Sequence, residues 1–275
     1  DVREIARAVT GWDADWEHAG AARFYPSEHD PNDKTVMGTV IHGRLGDDGA
    51  REIEDVADVI MRHPSTAPFI ARELVLRIAT ETPSPGYVER VATVFRTTNG
   101  DLKATVRAIL VDPEFTSDAV IRTQFKTPIE AFVGAIRALE GTTQGNSFID
   151  WTRDAKHLIY YPPSVFSFFR PGQKRSLVNT ALAITRDSAG DELTNGHTDS
   201  DGYRDTAFDA RRLIRKYKLR TPDQAVDYLA GALLADDLRP EVRQIVVAYM
   251  DGRVDETKFR GAAWLIVCSP DFQRN

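Results

Sequence analysis

Residues 55–79 read DVADVIMRHPSTAPFIARELVLRIA, and two helical patterns meet within them. Val56, Val59 and Ile60 recur at helical spacing until the break at His63-Pro64. After this break a second apolar stripe follows, formed by Phe69, Ile70, Leu74, Val75 and Ile78. Two helices joined by a tight corner can bury such stripes only against further helices. The stretch therefore predicts a helical globular domain.

Further apolar stripes along the chain supply the helices that this pair needs. They recur at helical spacing in residues 87–95, 102–110, 129–139, 177–184, 208–217, 224–234, 242–250 and 259–268. We therefore predict an all-α, multi-helix bundle, with a minor extended arm or small β-hairpin near residues 24–41. Residues 1–275 form one domain in this interpretation, divisible into sub-units 1–145 and 146–275. Because the chain opens on a helix-like segment without an initiator Met, we expect it to be the C-terminal part of a longer chain.

Two segments lack the helical periodicity of the rest of the chain. Residues 148–169 crowd aromatic side chains around Pro162-Pro163, which predicts irregular structure held by aromatic contacts. Residues 187–205 are polar, acidic and contain glycine, which predicts a surface loop.

Composition excludes several classes of protein. The chain has 275 residues, of which 42% are hydrophobic and 28% charged, as in ordinary soluble globular proteins. Its net charge of −6 argues against a nucleic-acid partner. No apolar run approaches the roughly 20 residues that span a bilayer. The single cysteine, Cys268, excludes an internal disulfide and multi-cysteine zinc sites, and its apolar surroundings predict a buried, inert thiol.

Short motifs follow one another along nearly the whole chain. They are Ala8-Val9-Thr10-Gly11-Trp12, His29-Asp30-Pro31, Lys34-Thr35-Val36-Met37-Gly38, His63-Pro64-Ser65-Thr66-Ala67, Ile70-Ala71-Arg72-Glu73-Leu74, Asp101-Leu102-Lys103, Asp112-Pro113-Glu114-Phe115, Lys126-Thr127-Pro128-Ile129-Glu130 and Pro162-Pro163-Ser164-Val165-Phe166. This ordered series resembles the C-terminal portion of the bacterial domain-of-unknown-function 1800 family. One departure is Ser167-Phe168-Phe169, where the family often has Gly followed by Trp.

The resemblance implies a cellular location and a partner but no activity. Members of this family are typically longer at the N-terminus, many look exported, and they are often encoded beside a second exported family. The resemblance therefore implies an extracytoplasmic (periplasmic or secreted) protein with a co-exported protein partner. It implies no established activity.

One polar loop is a candidate for chemistry. His29, Asp30, Asp33 and Lys34 can hold a metal ion, or His29 and Asp30 can act as an acid–base couple. Alternatively, the two carboxylates cap turns and Lys34 pairs with one of them. His63 is either a base or a hydrogen-bonding group at a helix end. An enzymatic hypothesis, a hydrolase or metal-dependent enzyme, needs His29, Asp30 and His63 to converge.

A second polar cluster suggests calcium. Asp199, Asp201 and Asp205 surround Gly202, and oxygen ligands that alternate before a glycine are how a calcium loop begins. The position where such a loop needs a bidentate Glu is Phe208, so a solvated acidic loop is the alternative. Apart from Ca²⁺ at this loop, we predict no cofactor.

Two segments are candidates for binding a partner. The aromatic residues of the first are Trp151, Tyr160, Tyr161, Phe166 and Phe168, which either line a sugar-stacking or peptide groove or plug the core. The second is a basic run that either faces solvent or binds an anionic partner such as an acidic polysaccharide. It comprises Arg211, Arg212, Arg215, Lys216, Lys218 and Arg220.

Recognised catalytic signatures are absent from the sequence. It contains no Gly-x-Ser-x-Gly, no His-Glu-x-x-His, no phosphate loop and no Gly-x-Gly-x-x-Gly. The leading hypothesis is therefore a non-enzymatic binding or assembly module that contacts a protein or polysaccharide through its aromatic segment and acidic loop.

Overall fold

The computed structural model of the chain describes residues 1–15, 20–165, 167–168, 174, 179–195, 205–234 and 238–274, the side chains of 180–182 excepted. Within these residues twelve α-helices account for most of the regular structure, and the all-α prediction is confirmed. They are α1 Val2–Ala8, α2 Glu52–Arg62, α3 Thr66–Ile78, α4 Pro85–Thr97, α5 Leu102–Val111, α6 Pro128–Ala138, α7 Asn146–Asp154, α8 Thr180–Asn195, α9 Ala210–Lys216, α10 Pro222–Leu234, α11 Pro240–Met250 and α12 Glu256–Val267.

Short antiparallel strand pairs complete the described structure. β1 (Trp12–Asp15) pairs with β2 (Ala21–Phe24), β3 (Lys34–Val36) with β4 (Thr39–Ile41), and β5 (Thr142–Thr143) with β6 (Thr206–Ala207). The β3–β4 hairpin confirms the predicted hairpin near residues 24–41. Its turn is Met37-Gly38, with φ of 49° and 78°, the left-handed pair that a two-residue hairpin favours. The β1–β2 hairpin was not predicted.

The chain divides into two compact units. One contains residues 1–74 and 84–111, and the other contains residues 75–83 and 112–275. The interpretation of residues 1–275 as one domain with sub-units 1–145 and 146–275 stays a prediction.

The first unit buries the α2 stripe in a mixed core. Val56 of α2 is buried with Ala8 of α1, Val36 of β3 and Ile41 of β4, and Val59 and Ile60 pack against this cluster. The stripe therefore meets a hairpin as well as a helix. This corrects the expectation that it would pack against helices alone.

The second unit has a larger core of α6, α8, α10 and α12. At the crossing of α8 and α12, a Cβ on Gly190 would lie 3.2 Å from Val267 and 3.3 Å from Cys268. Close helix packing thus explains a glycine inside a helix despite its low propensity. The prediction of a loop from residue 187 was wrong as far as Asn195, because this packing stabilises α8 to that point.

Residues 148–154 also differ from their prediction. They belong to α7 and are not irregular. The N-cap position is Gly145, which has no side chain to cap the helix. Asp205 replaces that cap: its carboxylate accepts the N–H groups of Asn146 at 3.2 Å and Ser147 at 2.8 Å. A cap that comes from about 60 residues away leaves no local signal in the sequence.

No helix in the described part of the chain is both long enough and apolar enough to cross a bilayer.

A buried tyrosine completes the end of α5. Ile109 O would normally accept the N–H of residue 113, which is Pro113 and has none. Tyr87 of α4, fully buried, donates its hydroxyl to that carbonyl at 2.7 Å. The hydrogen bond ties α4 to α5 where the helix leaves a carbonyl without its usual donor.

We expect Tyr87→Phe to lower the free energy of unfolding by about 1.5 kcal/mol, because it leaves a buried carbonyl without this donor. Urea denaturation should show a lower midpoint at an unchanged m-value. Tyr161→Phe is the control, since its hydroxyl belongs to an exposed ring. Equal midpoints for the two variants would contradict the role of this hydrogen bond.

Candidate functional site

The aromatic segment presents an exposed groove. Tyr160 is 93% exposed and Tyr161 75%, and with Ile149 and Ile159 they line a groove of about 490 Å³. The groove is completed by Phe148, Thr152, Arg153 and Leu158. We call this the tyrosine groove. Val165, four residues beyond Tyr161, is 96% exposed. Large apolar side chains gathered at such exposure are typical of interaction surfaces.

A strained turn carries the groove's tyrosines. Tyr161 N–H donates to Leu158 O at 3.1 Å, which closes a four-residue turn. Tyr160 occupies the third position of this turn with φ of 65°. Glycine or asparagine normally takes that position, because a left-handed backbone crowds a bulky side chain. The turn therefore holds an aromatic ring in solvent at a conformational cost.

The other predicted aromatic residues lie elsewhere. Trp151 is 5% exposed in the core of the second unit, and its indole N–H donates to Glu192 at 2.5 Å. Phe168 is half-buried and stacks edge-on against His157, with ring centroids 4.3 Å apart. Phe166 lies outside the described residues. Of the predicted binding residues, the structure brings Tyr160 and Tyr161 together in the groove.

His29 and Lys34 meet at a carboxylate in the interior of the first unit. His29 Nε2 lies 3.0 Å from Glu52 Oε1, and Lys34 Nζ donates to Glu52 Oε2 at 2.5 Å. The three side chains are 0–2% exposed. Arg44 N–H also donates to Glu52 Oε1, at 2.8 Å. Burial raises the pKa of Glu52, but the hydrogen bonds from Lys34 and His29 lower it more, so it lies below its ordinary value.

The surroundings of His29 decide what its ring can do. Nδ1 lies 2.9 Å from Thr10 O, and Nε2 faces the Glu52 carboxylate. Both ring nitrogens therefore already have hydrogen-bonding neighbours within the protein. A base needs a free nitrogen lone pair and access to a substrate proton. His29 in this arrangement gives a substrate no access, because its side chain is 2% exposed and both ring nitrogens face protein groups.

The rest of the loop is also engaged. Asp30 accepts Arg7 Nε at 2.7 Å and the side-chain amide of Asn32 at 2.8 Å. The bond from Arg7, followed by those from Asn32, holds the pKa of Asp30 well below its usual range. Lys34 also donates to Asp30 O. These polar groups of the loop therefore form hydrogen bonds within the loop, with Arg7 and with Glu52.

Glu52 was missed by the sequence analysis, although a signal for it exists. It lies four residues before Val56 and therefore on the buried face of α2. A glutamate on an apolar stripe needs a buried partner.

His63 lies apart from this network. Its Nδ1 accepts Ser65 N–H at 3.3 Å, within the corner between α2 and α3. Among the hydrogen bonds of the described residues, none joins His63 to His29 or Asp30. The three residues of the enzymatic hypothesis are therefore not linked into one site by hydrogen bonds.

The predicted calcium ligands are described only at Asp205. Its carboxylate caps α7 and also accepts Thr206 Oγ1 at 3.1 Å. Burial raises its pKa, but the N–H of Ser147 and its other donors lower it overall. Asp199 and Asp201 lie outside the described residues. Within the described ranges, no group of three His, Cys, Asp or Glu side chains is arranged to hold a metal ion.

Carboxylates offset much of the basic run. Arg212 and Lys216 pair with Glu140 at 3.0 and 2.6 Å, and Arg211 pairs with Glu256 at 2.6 Å. These pairs weaken the local positive field that an acidic polysaccharide would meet.

Comparison with known proteins places the chain in a family. A family model described as "Protein of unknown function (DUF1800)" matches residues 1–274. The chain belongs to this family. The resemblance drawn from the ordered motifs is thereby confirmed, over essentially the whole chain. No curated protein and no solved structure matches this DUF1800 protein.

We expect Glu52→Gln to lower the free energy of unfolding by about 3 kcal/mol, because Lys34 loses its buried counter-charge. Asp58→Asn is the control: Asp58 pairs with Arg62 in an exposed position, and its loss should change stability by less than about 0.5 kcal/mol.

The same network predicts a dependence on pH. A carboxylate whose pKa is depressed on folding stabilises the protein above its ordinary pKa of 4.5 and loses that contribution as the pH falls. The denaturation midpoint should therefore decrease as the pH is lowered below about 4.5. The decrease should be less steep in Glu52→Gln than in the wild type. Parallel pH curves for the two proteins would contradict this assignment.

Proposed function

We propose that this DUF1800 protein is a non-enzymatic binding or assembly module in an extracytoplasmic setting, and that its tyrosine groove holds an apolar segment of a co-exported protein partner. The observation that carries the proposal is the strained turn that places Tyr160 in solvent. A backbone conformation that disfavours its residue is retained where the surrounding structure or a function requires it. The exposure of the ring argues that packing within the protein is not the requirement.

The composition of the groove favours a protein over a polysaccharide. Ile149 and Ile159 lie beside the two tyrosines. Aliphatic side chains gain from burial against another apolar surface and offer sugar hydroxyls no hydrogen bonds. Tyrosine is enriched in protein interfaces, because its ring buries a large area while its hydroxyl keeps a polar contact. Arg153 supplies a charged rim, paired with Asp150.

The interior of the first unit gives the enzymatic hypothesis no support. His29 is closed to solvent with both ring nitrogens facing protein groups, and Asp30 is held by Arg7. The resemblance to exported family members supports the extracytoplasmic setting and the co-exported partner.

We expect Tyr160→Gly to separate stability from binding. Glycine adopts the left-handed conformation without strain, so the free energy of unfolding should stay unchanged or rise by up to about 1 kcal/mol. Affinity for the partner should fall at least tenfold, because the groove loses an exposed ring. Phe69→Ser is the matched control, since Phe69 is 62% exposed and is not among the residues that line the groove. Calorimetric titration and urea denaturation measure the two quantities.

The partner can be identified by placing a benzophenone amino acid at position 161 of the full protein in its native host. We expect one cross-linked protein that position 69 does not capture and that binds the purified wild type but not Tyr160→Gly. Cross-links only between copies of this chain would contradict the proposal. Binding of isolated cell-wall polysaccharide that Tyr160→Gly abolishes, without a cross-linked protein, would contradict it as well.

A further inference from the structure

The outer side of α2 carries an apolar row beside an acidic row. Ile53 and Met61 are 42% and 37% exposed, and exposed Ala57 lies between them. Glu54 and Asp58, both exposed, form the acidic row. We call these five residues the acidic face. A single exposed apolar side chain is ordinary, so the pattern matters more than any one member.

The outer side of α5 repeats this pattern with the opposite charge. Leu102 and Leu110 are 58% and 45% exposed, and half-buried Val106 lies between them. Lys103 and Arg107, both exposed, form a basic row beside them. We call these five residues the basic face. Both helices belong to the first unit.

Helical geometry makes the two faces complementary in one orientation. In each face the apolar residues recur at every fourth position, and each charged residue directly follows an apolar one. At about 100° per residue, the charged row lies on the same side of the apolar row in both helices when each is viewed from its N-terminus. Apolar therefore meets apolar, and acidic meets basic, only when the two helices run antiparallel.

The antiparallel register matches every position of the two faces. It pairs Ile53 with Leu110, Ala57 with Val106, Met61 with Leu102, Glu54 with Arg107, and Asp58 with Lys103. Small Ala57 at the middle of the acidic face lets the two helices approach closely. The register removes apolar side chains from water and places charges of opposite sign together.

The charged rows are accessible for such pairing. Among the ion pairs of the described residues, none involves Glu54, Lys103 or Arg107. Asp58 pairs with Arg62 at 2.6 Å, but both side chains are exposed. An exposed pair contributes at most about 1 kcal/mol, so it does not prevent Asp58 from meeting a second cation.

Within one chain the two faces remain exposed, although the end of α2 lies beside the start of α5. A Cβ on Gly100 would lie 2.6 Å from Met61 Cε. A second copy of the chain carries the same two faces. A two-fold axis can therefore place each acidic face on the basic face of the other copy and complete both contacts in one closed dimer.

We infer that this chain forms a homodimer through its first unit, in which α2 of each copy packs antiparallel on α5 of the other. None of the residues of the two faces lines the tyrosine groove, so the inference is independent of the proposed function. The dimer is weak, because about ten contact residues per copy are fewer than the roughly 20–30 of a standard interface.

Sedimentation velocity of the full chain, between about 1 and 500 µM, tests the inference. We expect a dissociation constant of about 10–100 µM, with monomer at the lowest concentration and mostly dimer at the highest. A chain that stays monomeric at the highest concentration would overturn the inference.

Charge reversal assigns the dimer to the two faces. Lys103→Glu with Arg107→Glu should raise the dissociation constant at least tenfold, and so should Glu54→Lys with Asp58→Lys, because like charges then meet. An equimolar mixture of the two double variants should dimerise again, since every acidic row then meets a basic row. Damage to the fold would not be repaired by mixing.

A matched control is Arg215→Glu with Arg220→Glu, which makes the same change in charge on exposed residues outside both faces and should leave the dimer intact. Leu102→Gln should weaken the dimer, whereas Ile245→Gln, on an exposed position of α11, should not. Glutamate is favourable in the first turn of a helix, so the α5 variant should fold even if the α2 variant does not.

Three further outcomes would contradict the homodimer. One is a dimer that persists in both double variants. Another is a mixture that stays monomeric although circular dichroism shows that both variants are folded. The third is a monomeric wild type that binds phosphatidylglycerol vesicles through α5, with binding lost on Lys103→Glu with Arg107→Glu, which would assign this face to a membrane surface.

Discussion

Buried polar groups that regular secondary structure leaves without a partner must be satisfied from elsewhere, and much of this protein's architecture follows from that requirement. Tyr87 donates to Ile109 O, because Pro113 has no N–H for that carbonyl. Asp205 caps α7, whose N-cap residue, Gly145, has no side chain. Arg260 of α12 donates to Thr194 O at 2.7 Å and to Phe208 O at 2.8 Å. In each case a side chain supplies the hydrogen bond that the local backbone lacks, and it joins elements distant in sequence.

This requirement also explains why the polar residues that first suggest chemistry are poor candidates for it. A histidine or carboxylate at a loop can serve the fold or a ligand, and its hydrogen bonds decide between them. His29 lies within hydrogen-bond distance of Glu52 and Thr10, and Asp30 accepts a hydrogen bond from Arg7. Asp205 caps α7. Among the hydrogen bonds of the described residues, none engages the side chains of Tyr160 and Tyr161, which is why the proposed binding function rests on them.

Periodic patterns predicted the fold well because they report a property of each helix alone. The stripes at residues 87–95, 129–139 and 224–234 became α4, α6 and α10, with Pro at the first turn of each. Predictions failed where the deciding contact comes from elsewhere in the chain. Gly190 sits in α8 because α12 packs closely there, and α7 depends on Asp205. Glu52 is a mixed case: its place on the apolar stripe of α2 is a local signal, but its partners lie 18 and 23 residues before it.

Candidate sites were predictable to a similar extent. The tyrosine groove arises from one segment of the chain, so its aromatic composition pointed to it. One cleft is lined by Arg77, Arg122, Glu130 and Lys174, which come from separate segments, and no local pattern joins them. A cleft of that kind becomes visible only when the fold brings its parts together.

Backbone strain alone does not mark function in this chain, and the comparison among strained residues shows what does. Met37 and Asn99 also have positive φ, of 49° and 52°, but one forms a hairpin turn and the other follows the end of α4. There the conformation serves a connection that the fold requires. Tyr160 also sits in a turn, yet the turn needs only its backbone, and glycine would provide that more easily. The ring adds apolar surface that faces solvent, and this exposed surface does not stabilise the folded chain by itself. Burial of the ring against a bound partner would be favourable. The residue type at this position is therefore stronger evidence for the proposed binding surface than its φ angle.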